Sequence, residues 1–301
     1  MIPLDVFEAV QSGSVKYGVV PFENSTNGSV VYTLDLMIDR EKFYPDVNVC
    51  GEAYIHVHHC LLGYIKNAPR REEATESGTA TPTVNAPNPK SPRARPLSDL
   101  RHVRRIYSHP QAFGQCEAFL STYLKGVERQ EVSSTSKAAE MVAADASRTT
   151  AAISSRLAAD VHRLNFLAEH IEDREDNMTR FFILQRSASK EHPFPAENVS
   201  IDGKGQQKEW KTLIAFRVDH QFSGALAKAL SVFGLHGLNL TSINSRPSRE
   251  HPWHYVFLVE FSDKRDGDGS CQVSHALEKL SECTQSWKCL GSWVDQGTKE
   301  S

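Results

Sequence analysis

A hydroxyl and a guanidinium stand side by side at Thr179 and Arg180, just before an apolar run that starts at Phe181 and ends at Leu184. Such a run indicates a buried strand. A threonine hydroxyl can give a proton to a leaving group, and an arginine pairs with a carboxylate through charge-assisted hydrogen bonds. The pair therefore predicts chemistry on a small organic acid. The alternative is a strand edge whose threonine and arginine face solvent.

Three hydroxyl-rich turns upstream share one local pattern. Each follows a predicted strand and is predicted to open a helix, where free backbone N–H groups attract an anion unless a side chain caps them. The candidate donors in these turns are Asn24, Ser25 and Thr26, then His109 and Gln111, then Ser134 and Thr135. Convergence of the turns on one cleft would favour a carboxylate-binding site. Ordinary helix capping is the alternative that the sequence leaves open.

Residues 47–62 are predicted to form one long extended segment. Alternation along it would place His56, His58 and Cys60 on one face. Three such side chains could hold zinc, yet no second cluster with ligand spacing supplies a fourth ligand. The sequence therefore favours a partly buried strand over a metal site, and we expect no metal.

Composition excludes several classes of protein. The chain has 301 residues, of which 40% are hydrophobic and 24% charged, as in ordinary globular proteins of about two domains. A net charge of −3 gives no electrostatic signature for nucleic acid or an anionic membrane. The six cysteines are scattered without a Cys-x-x-Cys pair, which is typical of reduced thiols. Together with the absence of a signal peptide at Met1, this pattern predicts a cytoplasmic protein with no nucleic-acid or membrane partner.

Two polar stretches divide the chain. Residues 66–98 contain six of the 14 prolines and are predicted to be a disordered insertion, and residues 187–209 are predicted to be a linker. Before the linker, residues 1–186 alternate short strands with helices, which indicates an α/β domain with a largely parallel sheet. After it, residues 210–296 have the order β-α-β-β-α-β of a ferredoxin-like unit.

Taken together and in this order, the motifs resemble the prephenate dehydratase family, with a C-terminal ACT regulatory domain. The resemblance extends over nearly the whole chain except the two polar stretches. It is carried by residues 17–26, 109–112, 134–135, 151–154 and 179–181, and then by residues 224–226 and 245–247.

The resemblance implies a periplasmic-binding-protein-like catalytic domain whose two subdomains flank a cleft, and no cofactor. It implies a hydro-lyase of phenylalanine biosynthesis that converts prephenate to phenylpyruvate by loss of carbon dioxide and water. The implied catalytic residues are Thr179, Arg180 and Phe181. The implied substrate-binding residues are Asn24, Ser25, Thr26, His109, Gln111, Ser134 and Thr135.

The resemblance also implies allosteric regulation by L-phenylalanine and assembly into a homodimer or tetramer. The implied effector-binding residues are Gly224, Ala225, Leu226, Asn239, Leu240, Ser245 and Arg246.

This sequence departs from the family pattern in two places. Asn244 stands where a glutamate usually precedes Ser-Arg-Pro, which bears on phenylalanine sensitivity. The family's upstream strand and Gly-Pro-x-Gly-Thr-Phe turn have no counterpart, so we expect one strand and one cleft wall to be missing. The alternatives are a catalytically impaired paralogue or fragment that acts as an amino-acid-binding ACT protein, or an arogenate dehydratase.

Overall fold

A computed structural model describes residues 3–66, 91–187, 209–264 and 270–297. The predicted insertion and linker therefore lie outside the described residues except at their ends. The chain forms two compact units. The first unit combines Met1–Ile55 with Thr179–Ser301, and the second unit is His56–Met178.

Helices and strands alternate through most of the described chain. The helices are α1 (Pro3–Ser12), α2 (Val31–Ile38), α3 (Pro110–Gly114), α4 (Glu117–Tyr123), α5 (Thr135–Ala143), α6 (Arg156–His162), α7 (Ala225–Leu235) and α8 (Ser270–Cys283). The strands are β1 (Tyr17–Asn24), β2 (Gly28–Ser29), β3 (Val47–His56), β4 (Cys60–Gly63), β5 (Arg105–Ser108), β6 (Glu128–Glu131), β7 (Thr150–Ser154), β8 (Asn165–Ala168), β9 (Met178–Arg186), β10 (Glu209–Arg217), β11 (Asn239–Pro247), β12 (Tyr255–Lys264) and β13 (Ser286–Val294).

The first unit is built on an eight-stranded sheet of order β11-β12-β10-β13-β3-β9-β1-β2. Its first four strands, with α7 and α8, form the ferredoxin-like module that the sequence predicts. The module's last strand, β13, pairs in parallel with β3 through Gly291 and Val49. One sheet therefore carries both the N-terminal strands and the C-terminal module.

A shared apolar core holds the two parts of that sheet together. Phe22 of β1 stacks on Phe182 of β9 with ring centroids 4.0 Å apart, and Phe182 meets Trp293 of β13 edge to face at 5.3 Å. Phe7 of α1 and Leu258 of β12 are buried in the same cluster. The opposite face of the module's sheet is buried separately with apolar residues of α7 and α8, such as Phe233 and Leu277.

The second unit contains a five-stranded sheet of order β6-β5-β7-β4-β8. Strand β5 runs parallel to β6 and β7, but β4 runs antiparallel to β7 and β8, so the sheet is mixed rather than largely parallel as expected. The single extended segment expected over residues 47–62 is also wrong. It is interrupted between His56 and Cys60, where the Val57 N–H donates to the Asn177 carbonyl and the His59 N–H to the Glu172 carboxylate.

Among the described residues, helices fall short of the length and apolar character that crossing a bilayer requires.

Gly291→Ala should destabilise the first unit. The backbone of Gly291 has φ +144°, and a Cβ built there would lie 2.1 Å from the Val49 carbonyl oxygen. Because the obstacle is backbone, side-chain rotation cannot relieve it, and we expect a loss of at least about 2 kcal/mol in the free energy of unfolding. Urea denaturation measures this loss. Gly114→Ala is the control, since a Cβ in that helix meets nothing within 4 Å. Equal stability of the two variants would contradict the close strand approach.

Candidate functional site

Thr179 lies near the start of β9, directly opposite Asn24 of β1 in the antiparallel ladder. The Asn24 side-chain amide donates to the Thr179 hydroxyl oxygen at 3.0 Å. Because that oxygen accepts the bond, the Thr179 hydroxyl keeps its own hydrogen for donation to another acceptor. The cross-strand pair thus holds the Thr179 side chain in place while its hydroxyl can still donate.

The turn after Asn24 does not open a helix, contrary to expectation. The Asn24 carboxamide oxygen accepts from the backbone N–H groups of Thr26 and Asn27 at 3.0 Å each, and Gly28 adopts φ +77°. The chain therefore reverses into β2, and α2 begins only at Val31. Ser25 and Thr26 are exposed on this turn.

Arg180, the next residue, is buried among charges of its own chain. Its Nε donates to Glu52 Oε2 at 2.8 Å, and a terminal nitrogen donates to Glu260 Oε2 at 2.5 Å. The rings of Phe22, Tyr54 and Phe182 have centroids 5.1–5.8 Å from its guanidinium carbon. Burial works to lower the pKa of Arg180, but the charges of Glu260 and Glu52 outweigh it and raise the pKa, so the guanidinium stays charged.

Glu52 connects this arginine to a second cation. Its other oxygen lies 3.2 Å from Lys211 Nζ and accepts from the Gln296 N–H at 3.1 Å. Lys211 also contacts Asp295 at 2.8 Å, and these anions raise its pKa against the lowering effect of burial. Sequence reasoning missed Glu52, Lys211 and Glu260. Each of these residues is a charged residue within an otherwise apolar strand, and that pattern in the sequence could have indicated a buried ion pair.

In the second unit, two predicted site residues act as helix caps. His109 Nδ1 accepts from the Gln111 N–H at 3.2 Å, and Ser134 Oγ accepts from the Lys137 N–H at 3.0 Å. Thr135 is the first residue of α5. Their turns follow β5 and β6, which are parallel neighbours whose last residues pair. The two turns therefore follow the same ends of two neighbouring strands, whereas the third turn of the sequence pattern, at Asn24, belongs to the first unit.

The expected effector-binding residues fall into separate groups within one chain. Gly224, with φ +81°, precedes α7, whose first residues are Ala225 and Leu226. Asn239 and Leu240 begin β11, whereas Ser245 and Arg246 lie near its end. At ~3.3 Å per residue, Leu240 and Ser245 are roughly 17 Å apart, farther than one amino acid reaches.

Arg246 itself is tied to the N-terminal part of the first unit. It forms a two-point ion pair with Asp35 of α2, both contacts at 2.9 Å. Burial raises the pKa of Asp35, but hydrogen bonds from Arg246 and Arg40 outweigh it and lower the pKa overall. Nearby, Asn244 Oδ1 accepts from the Ser29 hydroxyl at 2.7 Å. The ACT-type motif thus contacts α2 and β2 directly.

Family comparisons agree with the sequence motifs. The family model described as prephenate dehydratase matches residues 3–189, and the ACT domain model matches residues 212–269. A prephenate dehydratase of Methanocaldococcus jannaschii is 30% identical over 96% of this chain and 84% of its own length. A bifunctional chorismate mutase/prephenate dehydratase of Aquifex aeolicus is 35% identical over 96% of this chain. The chain spans 64% of that relative's length.

A solved structure has the same architecture. Prephenate dehydratase from Arthrobacter aurescens, in complex with L-Phe, superposes with a TM-score of 0.72 at 25% identity, covering 98% of this chain and 80% of that one.

A plant relative is also similar in sequence. A chloroplastic arogenate dehydratase/prephenate dehydratase of Arabidopsis thaliana is 32% identical over 95% of this chain and 63% of its own length.

The buried charge network generates a stability prediction. Glu52→Gln leaves Arg180 and Lys211 with too little negative charge in a buried place, and we expect a loss of about 3 kcal/mol in the free energy of unfolding. Adding Lys211→Met should restore part of that loss because it removes the uncompensated cation. Urea denaturation compares both with Glu278→Gln, a control on the exposed face of α8. If Glu52→Gln alone were as stable as the control, the Glu52 charge would not be needed to compensate Arg180 and Lys211.

Proposed function

The chain belongs to the prephenate dehydratase family, and from that premise we propose that it converts prephenate to phenylpyruvate. In this reaction the bond to the ring carboxylate breaks and carbon dioxide leaves. The released electron pair enters the ring as the C–O bond to the ring hydroxyl breaks. The departing oxygen takes a proton and leaves as water, so prephenate and one proton give phenylpyruvate, carbon dioxide and water.

The observation that carries the proposal is the hydrogen bond from Asn24 to Thr179. Hydroxide is a poor leaving group, so a donor must supply a proton as the C–O bond breaks. With its oxygen already accepting from Asn24, the Thr179 hydroxyl is oriented to donate. Such assistance contributes about 10²–10⁴-fold in rate when the group acts as a general acid. Rearomatisation supplies the driving force, so orienting the substrate is the protein's remaining task.

We assign the substrate carboxylate to Arg180, with Phe181 beside it on β9. Ser25 and Thr26 of the exposed turn are further donors of the first unit in this proposal. The family resemblance implies His109, Gln111, Ser134 and Thr135 of the second unit as substrate-binding residues. A carboxylate on Arg180 would replace one of its present partners, Glu52 or Glu260. Exchange of one anion for another keeps the buried cation compensated.

In this proposal, regulation by L-phenylalanine depends on which of the two carboxylates, Glu52 or Glu260, leaves Arg180. Glu260 belongs to β12 of the ACT-type module, and its second oxygen accepts from the Thr241 hydroxyl of β11 at 2.7 Å. An effector that shifts β11 therefore acts through Thr241 and Glu260 on the guanidinium of Arg180. We propose that the arrangement with Glu260 on Arg180 is the inhibited form, which phenylalanine stabilises.

The effector site itself requires a second copy of the chain. Strand β11 ends the described sheet, and its Ile243 is exposed, so its edge is open to pairing with another strand. Two copies related by a twofold axis would bring Leu240 of one chain towards Ser245 of the other, which one chain alone holds apart. We therefore propose a homodimer joined through this edge.

We also propose a cytoplasmic location for the protein. The free thiols among the described residues, such as Cys60 and Cys116, support a reducing compartment, the cytoplasm.

Thr179→Ala should lower kcat by about 10²-fold or more while KM changes little, because the lost interaction belongs to the transition state. Phenylpyruvate formed from prephenate is followed by its ultraviolet absorbance in alkali. Thr179→Ser keeps a hydroxyl and should retain most activity. Turnover of arogenate in a parallel assay would identify the protein as an arogenate dehydratase. If the folded protein converted neither substrate, the impaired paralogue would be the remaining interpretation.

Glu260→Gln should weaken inhibition by L-phenylalanine and raise kcat/KM in its absence by about 5-fold or more, since allosteric couplings of this kind are typically 1–3 kcal/mol. The amide keeps the shape of the side chain but loses the charge that competes for Arg180. Steady-state kinetics with and without phenylalanine measure both effects, with Glu278→Gln as the control. Unchanged inhibition in a stable Glu260→Gln protein would refute the proposed coupling.

A further inference from the structure

Two histidines and one glutamate of the second unit direct ligand atoms to a common point. His58 Nδ1 lies 3.1 Å from Glu172 Oε1, and His170 Nδ1 lies 3.5 Å from the same oxygen. All three ligand atoms are within 4.8 Å of one another. Tetrahedral zinc with bonds of about 2.0–2.1 Å separates its ligand atoms by roughly 3.4 Å. Small side-chain rotations would therefore bring the set to zinc geometry.

Glu172 is held as a metal-binding carboxylate should be. It is 1% exposed, and its Oε2 accepts from the His59 N–H at 2.8 Å. That bond fixes the carboxylate and leaves Oε1 directed at the two imidazoles. Outer contacts of this kind orient metal ligands and tune their basicity. The glutamate is thus anchored before any metal arrives.

The histidines, by contrast, can be reached from solvent. Their side chains are 46% and 59% exposed at His58 and His170, and their rings meet edge to face with centroids 4.9 Å apart. Two imidazoles and one carboxylate, with room for water as a further ligand, suit zinc better than the hard cations magnesium and calcium. We propose that His58, His170 and Glu172 form a zinc-binding site, and none of the three is among the residues assigned to prephenate.

The positive charge of Arg93 lies beside the proposed site and opposes the binding of a cation, so changing it tests the proposal. Arg93 lies 3.4 Å from Glu172 Oε1 and 3.3 Å from Glu175 Oε2. A bound zinc ion would take over the first contact and leave Arg93 with Glu175. Removing the arginine charge should therefore strengthen zinc binding, since like charges at such distances repel.

Isothermal titration with zinc chloride at pH 7.5 tests the site on the full chain. We expect one zinc per chain at this site, a Kd raised at least about tenfold in His170→Gln, and a lowered Kd in Arg93→Gln. His162→Gln, in the same unit but outside the cluster, is the matched control and should bind as the unchanged protein does. Because His170 is exposed, its replacement should leave the fold intact, which circular dichroism checks.

Cobalt supplies a second readout. A tetrahedral site with nitrogen and oxygen ligands should give Co²⁺ an intense visible absorption that is lost in His58→Gln and His170→Gln but kept in His162→Gln. Absence of zinc binding would overturn the proposal and leave a hydrogen-bonded ion cluster. Equal affinity in the unchanged protein, His170→Gln and Arg93→Gln would overturn it as well, because zinc would then be bound elsewhere.

Discussion

The ion pairs of Arg180 impose the main constraint on the first unit. A buried guanidinium must be compensated, and here Glu52 and Glu260 do so from the N-terminal part and from the C-terminal module. Strands β3, β9 and β12 must therefore keep their places together. The charge network is costly to desolvate, so its value lies in fixing one arrangement of these strands rather than in net stability.

The rest of the first unit is consistent with this constraint. The sheet runs without a break from the ACT-type module into β3, and Gly291 permits the close approach that this requires. A second ion pair, Arg246 with Asp35, ties β11 of the module to α2. The two arginines with expected ligand-binding roles thus both bridge the module and the N-terminal part. A ligand bound at either arginine would therefore disturb a contact between the module and the N-terminal part, which is how the proposed regulation would operate.

The polar side chains of the hydroxyl-rich turns have two different structural roles. Ser134 and His109 cap helices, so the simpler interpretation of their sequence pattern describes what they do here. Asn24 is different. It closes a hairpin turn with one side-chain atom and orients Thr179 with the other. The sequence pattern predicted the wrong local structure at this turn, because a helix start and an Asx turn use the same polar side chains.

The sequence by itself determined the family, the ferredoxin-like order of residues 210–296 and the strand that carries Thr179. These features depend on neighbours within a few positions, through alternation, capping and turn chemistry. Only the tertiary structure decided that Arg180 meets Glu52 and Glu260, 128 and 80 positions away, and that His58 meets Glu172, 114 positions away. The order and register of strands choose such partners, and a charged residue within an apolar strand does not state which opposite charge it will face.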